Sequence, residues 1–558
     1  MYDSFVRDRL PSQDAQPDFR FDRPELHYPA MLNAAAEIVD RAVAEGDGDR
    51  LAIVNDCGRW SYAQLADISA RIARILAEEE GLVPGNRVLL RGPNTAMLFA
   101  CWLGVLKAGG IAVTTMPILR AQEISVILAK ARISHAIVDE RTAADFLPAW
   151  KGADDARALL TYHGDGGEGA LERRIRRAAP GFQAIATRAD DPALIAFTSG
   201  TTGAPKGCVH FHRDILIPND TFARHILKPR RDDIFACSAP IAFTFGLGAL
   251  LIFPLLARAT ALTIERPAPA AFLAAAAKHG VTLMFTAPTA YKEMIHHLGE
   301  HDLSALRTCV SAGEHLPEAV ARAWHEATGI RIIDGIGATE MMHIFISAAG
   351  EDIRPGATGL PVPGYEACIL DAAGAPMPFG TGRLAVRGPC GCRYLDDARQ
   401  SNYVCNGWNV TGDTYRLDAQ GYFWYVARSD DMIVSAGYNI GAPEVENALL
   451  AHPAVRECAV IGVPCAQRGQ RVKAFVVTKD SRPPPSLAKE LQDHVKALIA
   501  PYKYPREIAF VEYLPKTGTG KLQRHALRES SYPLRDSLGS SNGTACSMPA
   551  GGRGEVTS

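Results

Sequence analysis

The 558-residue sequence lacks several features that would place it in a special class of protein. It has no uncharged apolar run of about 18 residues, so we expect no transmembrane helix and no membrane partner. Its first residues lack the apolar core of a signal peptide, so we do not expect secretion. The formal net charge of only −2 gives no indication of nucleic acid as a partner. The twelve cysteines include no C-x-x-C pair, which favours reduced thiols in a cytoplasmic protein without a zinc site.

The length exceeds what one ordinary hydrophobic core supports, so we expect two or more domains. Hydrophobic residues make up 47% of the sequence and charged residues 22%, which is typical of a soluble globular protein. Up to about residue 340, short apolar segments alternate with segments of helical periodicity. This alternation predicts an α/β fold with a parallel sheet covered by helices on both faces. After Gly359, short strands with glycine turns predict a small β-rich subdomain.

The predicted division of the chain has three parts. Residues 1–429 form a large N-terminal domain, and residues 430–530 form a compact α+β domain of ordinary size. Residues 531–558 are rich in Ser and Gly without periodicity and are predicted to be a disordered tail. Within the large domain, Ser61 is placed to cap a helix over Ala63–Glu79. Further elements are predicted at Gly246–Leu256, as a helix, and Arg331–Asp334, as a strand.

A glycine-rich loop, FTSGTTGAPKG at 197–207, lies between two predicted strands. Such a loop lets backbone N–H groups converge into an anion site, and hydroxyls and the Lys206 ammonium add donors suited to phosphate. A flexible surface loop is the alternative. The loop lacks the Gly-Lys-Ser/Thr ending of a Walker A motif. Its candidate phosphate-binding residues are Thr198, Ser199, Gly200, Thr201, Thr202, Gly203 and Lys206.

Two further polar clusters follow predicted strands, where open α/β sheets bind ligands. The first contains Gly313 and Glu314. The second runs DGIGATE from Asp334 to Glu340, where Glu340 offers a hard oxygen ligand for Mg²⁺ and Thr339 a hydroxyl. A helix N-terminus with an acidic first turn is the alternative for the second cluster.

Three isolated signals lie near the boundary and beyond it. Asp413 follows a tight turn in TGD and suits two ribose hydroxyls, and Arg428 suits a ribose or phosphate oxygen. Taken singly, each is better explained as a surface charge. Near the C-terminus, PKTGTGK at 515–521 is a second glycine-flanked lysine loop, for which a solvated turn is the alternative.

Together and in this order, TSGTTGAPKG, GIGATE, TGD, RSDDMI and PKTGTGK resemble the acyl-adenylate-forming superfamily, from about Leu26 to Arg528. The segments FGLGALLIFPL, FTAPTAY, DGIGATEMMHIFISAAG, IRPGATGLPVPGYE and GCRYLDD are similar to the benzoate-CoA ligase branch, and most similar to its 2-aminobenzoate-CoA ligases. Ile336 stands where an aromatic residue often stacks on adenine in the wider superfamily, and this branch tends to be aliphatic there.

The resemblance implies ATP, Mg²⁺ and coenzyme A as cofactor and co-substrates, an aryl carboxylate as substrate, and a monomer or homodimer. It implies that Thr202 and Glu340 hold the metal and that Lys521 is the catalytic lysine. It places the hinge between half-reactions at Asp430. The remaining implied nucleotide- and CoA-binding residues are Gly313, Glu314, Asp334, Gly335, Ile336, Thr339, Asp413, Arg428, Gly437 and Tyr438.

The same resemblance implies an acyl pocket with two walls. Thr244 and Phe245 form one wall, and Gly337, His343 and Ile344 form the other. A flat ring would then lie between Phe245 and Ile344, and Thr244 and His343 are the candidate partners of an ortho-amino group. A packed core histidine is the alternative for His343.

Two rival functions remain open on the sequence. The first is adenylation followed by transfer to a carrier-protein thiol, although no carrier domain is visible in the chain. The second is a nucleotide-binding regulatory protein without catalysis, against which the joint presence of Lys206, Glu340, Asp413 and Lys521 argues.

Overall fold

The computed structural model describes residues 2–198, 205–435, 438–465, 468–480, 483–516 and 522–528. The chain forms two compact units, one that ends at Met432 and one that begins at Ile433. The predicted disordered tail, 531–558, lies outside the described residues.

The largest sheet of the first unit has nine strands among the described residues. The pairs in its centre are parallel, and the pairs at both of its edges are antiparallel. The α/β prediction is confirmed, with antiparallel edges added to the parallel centre. In spatial order the strands are Leu360–Pro361, Ile344–Ser347, Ile332–Gly337, Thr308–Ser311, Leu283–Thr286, Ile234–Cys237, Thr260–Leu262, Leu51–Asn55 and Gly58–Ser61.

A second sheet of the same unit carries the strands on either side of the glycine-rich loop. It is parallel except for its last pair, Pro192–Thr198 with Lys206–Phe211, which is antiparallel. The strands in spatial order are Ala158–Tyr162, His135–Asp139, Arg87–Arg91, Ile111–Thr115, Pro192–Thr198 and Lys206–Phe211.

The predicted β-rich subdomain is an antiparallel sheet. Its described strands are Pro376–Met377, Glu366–Leu370, Gly380–Arg387, Trp408–Leu417 and Val404–Cys405, with Phe423–Arg428 also paired to Trp408–Leu417.

Helices cover the two larger sheets, and none of the described helices has the length and apolar character to cross a membrane. None of the eleven described cysteines forms a disulfide. The α-helices of the first unit are Arg41–Ala44, Tyr62–Arg74, Ala96–Lys107, Ala121–Ala131, Ala143–Lys151, Ala170–Arg177, His212–Pro218, Thr244–Leu247, Phe253–Leu256, Pro269–His279, Pro288–Met294, Glu318–Thr328 and Gln400–Tyr403.

Local signals explain where several helices begin. The Ser61 side chain accepts a hydrogen bond from Gln64 N while the Gln64 side chain accepts one from Ser61 N, a capping box that confirms the predicted N-cap. Thr95 caps Ala96–Lys107, whose residues are all buried. A helix that is apolar all round packs inside a large domain, and this one lies in the main core.

Two predicted elements differ from the structure. The helix predicted over Gly246–Leu256 is two short α-helices, Thr244–Leu247 and Phe253–Leu256, joined by a π-helical turn at Gly248–Ile252. Pro254 has no N–H to continue the regular ladder, which accounts for the irregular turn before it. The strand predicted to end at Asp334 continues through Gly337, because Gly335–Gly337 pairs with Ile344–Ser347.

The second unit has its own sheet and its own core. Tyr438–Ile440, Ile433–Ser435, Gly469–Thr478 and Val455–Cys465 lie side by side, and Glu507–Phe510 pairs with Gly469–Thr478. Helices Ala442–Leu450 and Leu487–Leu498 pack on this sheet through Val445, Leu449, Leu491 and Val495, and Arg524–Arg528 forms a short third helix. The unit is therefore α+β, as predicted.

Candidate active site

The glycine-rich loop connects two strands whose ends are held in register. Thr198 pairs with Lys206 across the antiparallel ladder, so the lysine lies directly beside the beginning of the loop. The Thr198 hydroxyl is buried and has no hydrogen-bond partner among the described residues. Five predicted phosphate-binding residues lie outside the described residues: Ser199, Gly200, Thr201, Thr202 and Gly203.

Lys206 and Glu340 are joined through a tyrosine hydroxyl. Lys206 Nζ donates to Tyr394 Oη at 2.9 Å, and Tyr394 Oη donates to Glu340 Oε1. The Glu340 side chain is buried, and burial raises the pKa of its carboxyl. Glu340 Oε2 accepts no hydrogen bond from another described residue. The structure thus brings two predicted site residues together through one that the sequence analysis did not assign.

Thr339 and Glu340 lie in a short 3₁₀ turn, Thr339–Met341, that follows the strand Ile332–Gly337. A buried histidine is hydrogen-bonded to this turn. His210 Nε2 lies 2.8 Å from the Thr339 carbonyl, and because a carbonyl only accepts, the histidine must donate. Cys390 Sγ donates to the Glu340 carbonyl at 3.7 Å. The turn that carries Thr339 and Glu340 is therefore hydrogen-bonded to the strand Lys206–Phe211.

Asp334 lies on the strand that precedes this turn. Its Oδ1 is buried without a hydrogen-bond partner among the described residues, while Ser347 Oγ donates to its backbone carbonyl. Burial raises the pKa of the Asp334 carboxyl to about 8, so this group is mostly protonated at neutral pH. A protonated carboxyl can donate a hydrogen bond as well as accept one.

The predicted ribose pair is directly opposed on two strands. Asp413 on Trp408–Leu417 pairs with Arg428 on Phe423–Arg428, and Arg428 Nη1 donates to Asp413 Oδ1 at 3.1 Å. Gly412, directly before Asp413, has φ +78°, and a Cβ there would lie 3.1 Å from Arg428 Nη2. The glycine is required both by its left-handed backbone and by the closeness of the guanidinium.

Gly313 and Glu314 follow the strand Thr308–Ser311, as predicted from the strand-end rule. Gly313 has φ +89°, a conformation that favours glycine. The Glu314 carboxylate is engaged, because Thr289 Oγ1 donates to its Oε2.

The predicted pocket residues converge on an apolar cluster around His343. The His343 ring is stacked on Phe245 with centroids 5.6 Å apart, and lies 5.4 Å from Phe222 and 4.8 Å from Phe253. Thr244 precedes Phe245 in a short helix and is buried. Neither ring nitrogen of His343 makes a hydrogen bond of good geometry to a described residue, although the Phe245 backbone carbonyl is close enough to favour a protonated ring. Burial lowers the pKa of His343 to about 3, so the imidazole is neutral at physiological pH.

Gly335 and Gly337 face the second wall of this cluster. A Cβ on Gly335 would lie 2.8 Å from Ile344 Cγ2, so the space beside Gly335 is used by the buried Ile344 side chain. A Cβ on Gly337 would lie 2.9 Å from the His343 backbone. Ile336, between them, is partly buried against the main core.

Four predicted residues of the C-terminal part are described incompletely or lie outside the described residues. Lys521 and Gly437 lie outside them. Tyr438 has a described backbone, in the strand Tyr438–Ile440, but not a described side chain. Asp430 lies in the 3₁₀ turn Ser429–Asp431, with only its backbone described.

Sequence reasoning missed three groups of the site: Tyr394, His210 and the partners Phe222 and Phe253. Tyr394 was visible only as part of GCRYLDD, and no spacing rule connects it to Glu340, 54 positions away. His210 lies four residues after Lys206 on a predicted strand, and strand alternation would have placed the two side chains on the same face.

The site thus combines a lysine beside the ends of a glycine-rich loop, a buried carboxylate and an opposed Asp–Arg pair. The AMP-binding enzyme family matches residues 40–394, and the C-terminal domain of AMP-binding enzymes matches residues 444–521. The benzoate-CoA ligase of Thauera aromatica is 37% identical over 516 residues, which cover 91% of this chain and 98% of the relative. The chain belongs to the AMP-binding enzyme family.

Solved structures agree with this assignment. The anthranilate-CoA ligase AuaEII, solved with anthranoyl-AMP, has a TM-score of 0.85 and 34% identity, and the match covers 91% of this chain and 98% of that one. A benzoate-CoA ligase from Burkholderia xenovorans LB400 has a TM-score of 0.81 and 34% identity, with 89% and 100% coverage. The predicted fold and family are confirmed.

Proposed function

We propose that this protein is an AMP-forming aryl-CoA ligase. An aryl carboxylate attacks the α-phosphate of ATP to give aryl-AMP and pyrophosphate, and the thiol of CoA then displaces AMP. The observation that carries the aryl assignment is the cluster of Phe222, Phe245 and Phe253 around a neutral His343. Flat aromatic rings and one uncharged polar group suit an aryl acid better than a flexible chain.

The first half-reaction brings a carboxylate to a triphosphate, so fixed positive charge and dipoles must offset their repulsion. In our proposal Lys206 and the glycine-rich loop hold the β- and γ-phosphates. Asp413 and Arg428 hold the ribose, and Asp334 donates to the adenine from its protonated carboxyl. Lys521 joins the substrate carboxylate and the α-phosphate, and Thr339 contributes its hydroxyl to the α-phosphate.

The side chains around Glu340 fit a magnesium ion. Mg²⁺ takes oxygen ligands and few protein carboxylates, and Glu340 Oε2 accepts no hydrogen bond from another described residue. Bound Mg²⁺ would offset the negative charge of the triphosphate. Thr202 is the proposed second ligand.

We propose 2-aminobenzoate as the preferred acid, with benzoate as the alternative. A neutral imidazole has one donor and one acceptor nitrogen, and neither makes a hydrogen bond of good geometry to a described residue; the Phe245 carbonyl lies near the donor, which leaves the acceptor nitrogen for a ligand. An ortho-amino group would supply the missing hydrogen bond, with the Thr244 hydroxyl as its second partner. The similarity to AuaEII, an anthranilate-CoA ligase solved with anthranoyl-AMP, supports this choice.

The remaining parts of the proposal concern the whole chain. CoA approaches along the Gly437–Tyr438 segment, and rotation at Asp430 separates the half-reactions. The protein acts as a monomer or homodimer. A cytoplasmic location fits the free thiols of all eleven described cysteines, because reducing conditions keep thiols unpaired.

The test is AMP formation with benzoate, 2-aminobenzoate, hydroxybenzoates, phenylacetate and medium-chain acids, each with CoA as sole acceptor. We expect turnover with aryl acids and the highest kcat/KM for 2-aminobenzoate. In His343→Phe, which replaces the imidazole with a slightly larger aromatic ring without nitrogens, the preference for 2-aminobenzoate over benzoate should fall about tenfold. Equal kcat/KM for both acids in the wild type would refute the ortho-amino assignment. Turnover restricted to medium-chain acids would refute the aryl proposal, and absence of turnover with CoA would point to a carrier thiol.

A further inference from the structure

The connection between Lys206 and Glu340 has an unusual form for two opposite charges. The two side chains do not form a direct ion pair, and the hydroxyl of Tyr394 stands between them. An ammonium has only donors and a carboxylate only acceptors, so the single hydroxyl proton must go to Glu340 while the hydroxyl oxygen accepts from Lys206. The direction of both hydrogen bonds is therefore fixed.

We infer that Tyr394 is a positioning residue for the metal–nucleotide site, an inference that rests on the proposed function. Its hydroxyl donates a hydrogen bond to Glu340 Oε1, which leaves Oε2 oriented to bind a divalent cation. The hydroxyl oxygen also accepts a hydrogen bond from the Lys206 ammonium. A phosphate oxygen of the bound nucleotide would replace that contact.

The Tyr394 hydroxyl prevents a direct ion pair between Lys206 and Glu340, and this favours ligand binding. A direct contact between a buried carboxylate and an ammonium is strong, and it would have to be broken before either group could bind its ligand. A neutral hydroxyl between the charges keeps each of them hydrogen-bonded but weakly held. The two side chains are then arranged for the ligand rather than bound to each other, and such preorganisation is a usual source of tight binding.

The backbone around Tyr394 is rigid enough to serve this purpose. Leu395 N donates to Gly207 O and Val209 N donates to Arg393 O, each at 2.8 Å. The segment 393–395, called the tyrosine segment here, is therefore hydrogen-bonded on both sides of Tyr394 to the strand that carries Lys206. Tyr394 N also donates to Gln400 Oε1 at 2.9 Å. The ring is 1% exposed and packs edge-on against Tyr403, with centroids 5.8 Å apart.

Tyr403 supplies a matched control. Its hydroxyl is also buried, but it has no hydrogen-bond partner among the described residues. Tyr394→Phe and Tyr403→Phe each remove one buried hydroxyl from neighbouring rings and keep the packing of the ring. Only the first removes a contact with Lys206 and Glu340.

The experiment measures equilibrium binding of ATP to the full chain by titration calorimetry, with Mg²⁺ and with EDTA. We expect Tyr394→Phe to bind Mg·ATP about tenfold more weakly than wild type, with a smaller loss for metal-free ATP. In steady-state assays KM for Mg·ATP should rise more than kcat falls. Tyr403→Phe should match the wild type in both.

A double-mutant cycle tests the route through Glu340. In a Glu340→Gln background, Tyr394→Phe should weaken Mg·ATP binding by less than twofold, because there is no metal-binding carboxylate left to orient. Equal losses for Mg·ATP and metal-free ATP, or the same loss in both backgrounds, would overturn the inference. A wild type that binds no Mg·ATP would instead refute the proposed function, so the two failures are distinguishable. Unchanged thermal unfolding of Tyr394→Phe excludes a general packing defect.

Discussion

His343 Cδ2 lies against the backbone of Gly248, so closely that a Cβ on Gly248 would stand 2.5 Å from it and 2.7 Å from Nε2. Gly248 is the first residue of the π-helical turn Gly248–Ile252. The position of the imidazole therefore depends on the path of this irregular backbone. Irregular helical turns of this kind are frequent at functional sites.

Gly248→Ala is therefore expected to displace the imidazole without touching the nucleotide site. KM for the aryl acid should rise about tenfold while KM for ATP stays within twofold of the wild type, as measured by AMP formation. Gly299→Ala is the control, because a Cβ there meets nothing within 4 Å. An unchanged aryl KM in Gly248→Ala would show that His343 has no role in binding the acid.

Asp334 makes the stability of the first unit depend on pH. Burial raises the pKa of its carboxyl to about 8 in the folded protein, against about 4 in the unfolded chain. The folded state then keeps a proton that the unfolded state releases. The contribution is fully present below about pH 4 and is lost as the pH rises through about 8.

Asp334→Asn should remove this dependence. Between pH 5 and pH 8 the carboxyl lowers the free energy of unfolding by at most about 1.4 kcal/mol per pH unit, and the variant should show a correspondingly flatter profile in urea unfolding. Asp302→Asn, at an exposed carboxyl whose pKa is lowered by its hydrogen bonds to Ser304, should keep the wild-type slope. Identical slopes in wild type and Asp334→Asn would contradict the prediction.

Arg393, next to Tyr394 in the chain, forms a fully buried ion pair with Asp214. Arg393 Nη1 lies 2.7 Å from Asp214 Oδ2, and the guanidinium lies between the rings of Phe19 and Phe211, 4.2 Å from each centroid. Arg393→Met keeps much of the volume but removes the close cation of a buried carboxylate, which then has only the more distant Arg213 Nε at 3.9 Å. We expect a loss of about 3–5 kcal/mol in the free energy of unfolding.

An exposed ion pair gives the comparison for that measurement. Arg120 and Asp145 lie 2.9 Å apart with side-chain exposures of 74% and 39%. Arg120→Met should change the free energy of unfolding by less than about 1 kcal/mol. Adding Asp214→Leu to Arg393→Met should recover part of the loss, and a further loss instead would indicate that packing rather than charge dominates.

Lys521 can be tested although it lies outside the described residues. Lys521→Ala should abolish formation of aryl-AMP but leave the transfer of supplied aryl-AMP to CoA largely intact, because only the first half-reaction needs its charge. Pyrophosphate release and CoA-ester formation are measured separately. Equal loss of both half-reactions would contradict the proposed role.

Sequence reasoning reached the fold through short-range signals. The Ser61 cap and the alternation of short apolar segments with segments of helical periodicity depend on neighbours within a few positions. The segment predicted as a helix over Gly246–Leu256 is helical throughout, and its π-helical turn before Pro254 also has a local cause in the missing N–H.

The sequence by itself also determined which chemical groups are present. Lys206, Thr339, Glu340, Asp413 and Arg428 stand in motifs whose residue types suit the phosphate, ribose and metal roles that we propose for them. Asp413 then pairs with Arg428 on the opposed strand, beyond a shift in register between Thr414 and Tyr415.

Tertiary structure alone decided what surrounds these groups. Tyr394 reaches Lys206 across 188 positions of sequence, and three phenylalanine rings meet at His343 from separate elements. Such contacts depend on how sheets and helices pack, and packing is set by the sum of many weak apolar contacts that no local pattern records. The motifs therefore determine the chemistry, while the packing determines how the charges are held and which acid fits.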